Sequence, residues 1–177
     1  MENITLTGGC FWCTEAVFSI VKGVENVEPG YTGGSIPNPT YEQVSSGTTG
    51  HAEAVKVTFD SKVISLEEIL EIFFATHDPT SINRQGADVG TQYRSVIFYY
   101  NKTQKIIAEK VIARLNEQKI WDNPIVTDAE PLEVFYFAEE YHKEYYKKHP
   151  EQAYCQVVIS PKVAKLRQRY ISKLKKI

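Results

Sequence analysis

The stretch Ile4-Thr5-Leu6-Thr7-Gly8-Gly9-Cys10-Phe11-Trp12-Cys13 changes its period halfway along. Ile4 to Thr7 alternates apolar and polar residues as a strand does, while Phe11, Ala16, Val17, Ile20 and Val21 recur at near-helical spacing. Between them Gly8-Gly9 let the backbone turn tightly. The reading is strand, turn, helix, with Cys10 at the helix N-terminus, where free N–H groups and the helix dipole favour a thiolate. Cys10 is therefore expected to be an activated nucleophile.

Working outward, Val24 to Tyr31 reads as a second strand, and Thr32 to Gly50, with Gly33-Gly34, Pro37, Pro39 and Gly47, as a surface loop that is not regular throughout. His51 to Phe59 alternates again and places Glu53 inside a strand. Ser65-Leu66-Glu67-Glu68 is a capping box ahead of Ile69, Leu70, Ile72, Phe73 and Phe74, with Asp78-Pro79 marking the exit. A long loop from Thr80 to about Gln92 leads to a strand from Tyr93 to Tyr100. A helix through Ile106, Ile107, Val111 and Leu115 and a strand around Leu132 to Phe137 follow. A short strand is expected at Gln156 to Ile159. This order predicts an α+β two-layer sandwich with a mixed or antiparallel sheet: a split βαβ, ferredoxin-like core plus long loops and a C-terminal helix. One domain over residues 1–177 is expected.

The 177 residues are 42% hydrophobic and 24% charged with a formal charge of −2, which describes a globular chain and gives no reason to expect nucleic acid as a partner. The N-terminus lacks the basic and apolar regions of a secretory signal, and no apolar run is long enough to span a bilayer. A soluble cytoplasmic protein is expected. From Pro161 onward Val163, Leu166, Tyr170, Leu174 and Ile177 are spaced by three and four among lysines and arginines, an amphipathic basic helix. Docking of its apolar stripe on the protein's own core is favoured over a membrane or an acidic partner.

Cys10, Cys13 and Cys155 are too few for a disulfide scaffold and point to a reducing compartment. Cys-x-x-Cys serves redox pairs and half-sites for zinc alike, and two small buried residues are an equally good account of the bare spacing. A zinc site lacks its second half, because Cys155 stands without a companion ligand, so neither metal nor cofactor is expected. The aromatic pair Phe11 and Trp12 beside a nucleophile can form a pocket for an apolar group such as a methyl, although either ring singly could anchor the helix in the core.

Gly8-Gly9-Cys10-Phe11-Trp12-Cys13 resembles the signature of the A-type methionine sulfoxide reductases, which act on the S epimer of the sulfoxide. Gly30-Tyr31-Thr32-Gly33-Gly34, Pro39-Thr40-Tyr41, Gly50-His51-Ala52-Glu53-Ala54-Val55 and Gly90-Thr91-Gln92-Tyr93-Arg94-Ser95 resemble further blocks of that family, in its order. With Tyr141-His142 and Tyr154 to Leu166 the resemblance spans nearly the whole chain. It implies that Cys10 attacks the sulfoxide sulfur, that Phe11 and Trp12 hold the ε-methyl, and that Glu53 protonates the oxygen. It further implies that Tyr41 and Tyr93 polarise that oxygen and that Asp88 contacts the substrate amide or a water. A carboxylic acid can protonate a sulfoxide near neutral pH only if burial raises its pKa, which is the demand placed on Glu53.

The implied product is methionine, with a Cys10 sulfenic acid that a second thiol converts to a disulfide, reduced in turn by a dithiol such as thioredoxin. The resolving thiol is Cys13 or Cys155. Cys13, one turn beyond Cys10, is favoured by proximity, whereas the family often has glycine there and resolves through a mobile C-terminal segment. His51, His77, His142 and His149 are expected to be structural; His51 and His142 lie in family-like blocks and can hydrogen-bond near the site, whereas Glu139 to His142 otherwise reads as the surface of a helix. Two other readings compete. One is a general thiol-disulfide oxidoreductase, which would need no Glu53, Tyr41 and Tyr93 together. The other is a binding module with structural cysteines and a basic recruiting tail.

Overall fold

The structure, a computed structural model, describes residues 1–176. Ile177, placed by the sequence in the apolar stripe of the tail, lies outside the described residues. The strands are β1 (Glu2–Thr7), β2 (Val24–Thr32), β3 (Ala52–Phe59), β4 (Arg84–Gln85), β5 (Asp88–Val89), β6 (Val96–Tyr99), β7 (Asp128–Pro131) and β8 (Phe135–Phe137). The helices are α1 (Phe11–Ser19), α2 (Tyr41–Ser45), α3 (Leu66–Ala75), α4 (Lys102–Glu117), α5 (Tyr145–Lys148) and α6 (Ser160–Arg169).

Six strands form one sheet in the order β7-β6-β1-β3-β2-β8, antiparallel throughout except for the parallel pair β6 and β7, so the fold is α+β with a mixed sheet. Its interior strand is β3, held on one side by Leu6↔Val55 and Thr7↔Ala54 and on the other by Tyr31↔Glu53. Ala52, Glu53, Ala54 and Val55 are buried in succession, which shows that both faces of the sheet are covered at this end. Glu53 there is 1% exposed.

The capping box was legible: Ser65 accepts from Glu68 N–H and starts α3 at Leu66. The same signal at Thr40, whose side chain accepts from Gln43 N–H, starts α2 inside the segment expected to be a loop. Between α3 and β6 the expected loop contains the hairpin β4–β5. The strand β7 was missed because Asp128-Ala129-Glu130-Pro131 has no alternation; it exists by pairing with β6 at the sheet edge, where proline is tolerated. Near the end of the chain Cys155–Ile159 is a π-helical turn running into α6, not a strand.

α1 is buried along most of its length, from Phe11 to Phe18, with only Trp12 partly open. It rests on β2 and β3 on one side and is covered on the other by α5, the π turn and α6, a layer beyond the expected two. The basic helix ends at Arg169, short of the predicted stripe. The chain then runs back along α1's exit, with Lys22 N–H donating to the Lys173 carbonyl at 2.7 Å and Leu174 bridged to Val21. Val163, Leu166 and Leu174 are buried, so the apolar side of the tail docks on the protein's own core.

Candidate active site

Cys10 is the N-cap residue of α1, in extended geometry (φ −67°, ψ 130°), and Cys13 N–H donates to its carbonyl at 3.1 Å. Gly9 before it has φ +89°, and a Cβ there would meet Gln85 Cγ at 2.8 Å, so both backbone sign and space require glycine. Gly9 N–H donates to the Tyr93 carbonyl at 3.1 Å, tying the turn that presents Cys10 to the segment that carries Tyr93.

Glu53 projects from β3 under the start of α1. Its Oε1 accepts Phe11 N–H at 3.2 Å, one of the free donors of the helix end, while Oε2 is buried without a partner among the described residues. Burial pushes the carboxyl up to about 8; Asp88 adds to this, while Phe11 N–H and Cys10 oppose it. Glu53 is thus a protonated acid at neutral pH. Cys10 stands at the helix N-terminus as expected, but burial there opposes the pull of the helix end. Burial first, then Glu53 and Cys13, hold its thiol well above the usual value, outweighing the Trp12 N–H and Tyr154. The helix-end donors are present, but the cap is 7% exposed, and desolvation of a thiolate wins over the dipole.

Around this pair the aromatic side chains interlock. Phe11 lies 4.9 Å from His142 and 6.2 Å from Tyr41, and Trp12 stacks on Tyr145 at 3.7 Å with an interplanar angle of 6°. Trp12 also donates its indole N–H to His142 Nδ1 at 2.9 Å. His142 is fully buried, which lowers its pKa by desolvation, and because its Nδ1 accepts the Trp12 N–H its ring proton is on Nε2. Tyr41 and Tyr93 are both raised, by burial first and then by Glu53, so each keeps its proton. Glu139 accepts from the Tyr31 hydroxyl at 2.8 Å and from Tyr41 N–H at 2.9 Å, anchoring the start of α2 to the site.

The structure therefore brings Cys10, Phe11, Trp12, Cys13, Tyr41, Glu53, Asp88 and Tyr93 together. From Glu139 to His142 the chain is a single 3₁₀ turn rather than part of a longer helix; Glu140 and Tyr141 are at the surface as expected, while His142 is buried behind the aromatic pocket and hydrogen-bonded to Trp12 there. Cys155 is buried on the π turn, and all three cysteines are free thiols. Tyr154 was missed as a site residue. Its hydroxyl donates to Asp88 Oδ2 at 2.7 Å, lies 3.9 Å from Cys13 Sγ, and its ring meets Trp12 edge-on. Apart from the family-like segment that begins at it, no local signal marks one tyrosine of the 11 in the chain. His51 and His77 are bonded within the scaffold, His51 to Gly34 N–H and the Ile36 carbonyl, His77 to Ser95 and the Phe73 carbonyl, while His149 lies against the Tyr145 ring.

A groove of about 620 Å³ opens on Cys10 between Asp88, Tyr154, Trp121 and Lys162. Another cavity, of about 560 Å³, lies behind α1 around Glu15 and holds none of the site residues. Among the described residues no cluster of three or more His, Cys, Asp or Glu is placed to hold a metal ion. What the arrangement offers is a thiol, a buried acid beside it, two neutral hydroxyls and an aromatic wall.

The sequence model of the family described as peptide methionine sulfoxide reductase matches residues 2–175. The chain is 58% identical over 175 residues to the peptide methionine sulfoxide reductase MsrA of Saccharolobus solfataricus, covering 99% of this chain and 98% of that one. Among solved structures it resembles Mxr1 from Saccharomyces cerevisiae in reduced form (TM-score 0.80, 36% identity, 87% and 88% of the two chains). It is also similar to Mxr1 in complex with Trx2 (TM-score 0.58, 26% identity, 81% and 84%).

Proposed function

The chain belongs to the peptide methionine sulfoxide reductase family, and we propose that it reduces methionine-S-sulfoxide, free or in peptides and proteins, at Cys10. The observation that carries the reading is the pairing of Cys10 with a buried, protonated Glu53 beneath an aromatic pocket. A sulfoxide methyl would sit against Phe11 and Trp12, leaving the oxygen to Glu53, Tyr41 and Tyr93. Asp88, already bonded to Tyr154, would contact the substrate amide or a water through its remaining oxygen.

A resting thiol and a resting acid are complementary in this reaction. When Glu53 gives its proton to the oxygen, positive charge develops on the sulfur, and that charge favours ionisation of the adjacent Cys10. With the Cys10 proton lost to solvent, attack forms a bond between Cys10 Sγ and the substrate sulfur; as the oxygen passes to Cys10, the substrate S–O bond and the new S–S bond both break, leaving methionine, a Cys10 sulfenic acid and a Glu53 carboxylate that takes up a proton again. The Cys10 charge that burial disfavours is thus raised only where it is used, which is transition-state rather than ground-state stabilisation.

Cys13 then condenses with the sulfenic acid, Cys155 serves as a second relay, and a dithiol such as thioredoxin reduces the disulfide. Cys13 lies in the first turn after the N-cap Cys10, and Cys155 on the π turn packed against α1, which supports that order. The Trx2 complex of the yeast relative supports the thioredoxin partner. The three free thiols fit a cytoplasmic protein, and no described helix is long and apolar enough to cross a membrane. The same reading takes the core as split βαβ, ferredoxin-like; the order β6-β1-β3-β2, with α1 and α3 in the two crossovers, supports it.

Because the pocket fixes methyl, oxygen and thiol separately, it is chiral at sulfur. With dithiothreitol as reductant, the S epimer of a peptide methionine sulfoxide should be reduced and the R epimer left. Equal rates on both would refute the assignment.

A further inference from the structure

Behind Cys13 lies a small cavity of about 10 Å³ whose walls include Gly8, Cys13, Phe73, His77 and Lys162. Lys162 also lines the groove that opens on Cys10. It stands in the first turn of α6, directly after Pro161, and α6 packs on α1, the helix that carries both thiols. One half-buried lysine therefore borders both the groove at Cys10 and the space behind Cys13.

We propose that Lys162 is a positioning residue for the resolving step, its ammonium stabilising the Cys13 thiolate that attacks the Cys10 sulfenic acid. This rests on the reading of Cys13 as the first resolver. In the step, a bond forms between Cys13 Sγ and Cys10 Sγ while the S–O bond of the sulfenic acid breaks. The Cys10 sulfur is reduced and the Cys13 sulfur oxidised, and the proton of the Cys13 thiol leaves with the hydroxyl as water.

The need for such a cation follows from the site. Only the thiolate is a competent nucleophile, yet burial pushes the Cys13 thiol up. Of the groups that face Cys13, Cys10 lies at the cap of its own helix, Asp88 on β5, and Tyr154 and Cys155 on the segment after α5. His77, beyond the end of α3, is held neutral by burial, which lowers it to about 4. Asp88 and Cys155 disfavour a negative charge at Cys13, while Lys162 foremost and then the Tyr154 hydroxyl favour it. Lys162 is the one positive charge in this set.

The test reads Cys13 without turnover and then within it. In a Cys10→Ser, Cys155→Ser background, iodoacetamide alkylation of Cys13 is followed against pH, with and without Lys162→Met. Removal of the cation should move the alkylation profile up by about one pH unit, and Lys162→Arg should restore it. In the three-cysteine protein, one equivalent of sulfoxide gives a rate of methionine release and a rate of loss of the second thiol. Their ratio should fall about tenfold near neutral pH in Lys162→Met and recover in Lys162→Arg. Superimposable alkylation profiles would overturn the proposal; Lys162→Gln provides a second neutral variant should Lys162→Met fail to fold. Disulfide formation at full rate in Cys13→Ser is a separate failure, of the resolver reading, because the alkylation profile reports on Lys162 whichever thiol resolves.

Discussion

Replacing Glu53 with Gln keeps the side chain's shape and its acceptor for Phe11 N–H and removes only the titrating proton. Two consequences can be worked from the structure. First, a group whose folded pKa is raised contributes its full stability below its unfolded pKa, near 4.5, and loses it as pH rises toward about 8. At pH 7 the unfolded chain has ionised Glu53 and the folded chain has not, which withholds about 3 kcal/mol from the fold. The Gln variant should therefore gain about 3 kcal/mol on the parent at pH 7, a gain that disappears toward pH 4. Second, loss of the general acid should slow methionine release in a single turnover by roughly two to four orders of magnitude. Urea unfolding of parent and variant across this pH range, beside a single-turnover assay, measures both. A stability difference that does not change with pH would show that burial does not hold the proton on Glu53. A near-normal rate would remove Glu53 from the chemistry.

The pH dependence of kcat/KM should follow the Glu53 and Cys10 pair, since the productive state, acid protonated and thiol ionised, has lost one proton from the two together. The rate should rise with pH to about 8, level off, and fall only as the second proton leaves in the raised range of Cys10; a plateau reaching into acid would contradict the coupling. Phe in place of Tyr41 or Tyr93 should each slow the reductive step by about tenfold to a hundredfold, less than Glu53→Gln, because the other hydroxyl still holds the oxygen. A single substitution as damaging as Glu53→Gln would assign that tyrosine the acid's role.

The elements legible in the sequence were those specified within a few residues. The Gly-Gly turn into α1, the capping box of α3 and the alternation of β1 and β3 each depend on neighbours at most one helical turn away, and each stands where it was expected. Thr40 to Gln43 carries the same local code and could have been found. Chemical identity was legible as well, because the motif around Cys10 and the blocks holding Glu53, Tyr41 and Tyr93 are written in residue types.

What only the tertiary structure decided were the energies of those residues. Glu53 in an isolated β3 would be an ordinary exposed carboxylate; it is an acid near pH 8 because β1 and β2 flank its strand and α1 closes over it. Cys10 has the helix end that should activate it and yet stays a thiol, since desolvation depends on everything packed around the cap. β7 came from pairing rather than pattern, and His142, Tyr154 and Lys162 reached the site from residues more than a hundred positions away. Local propensity is set by short-range backbone geometry and side-chain hydrogen bonds. Burial and the electrostatics it governs are sums over contacts that exist only once the chain has closed on itself.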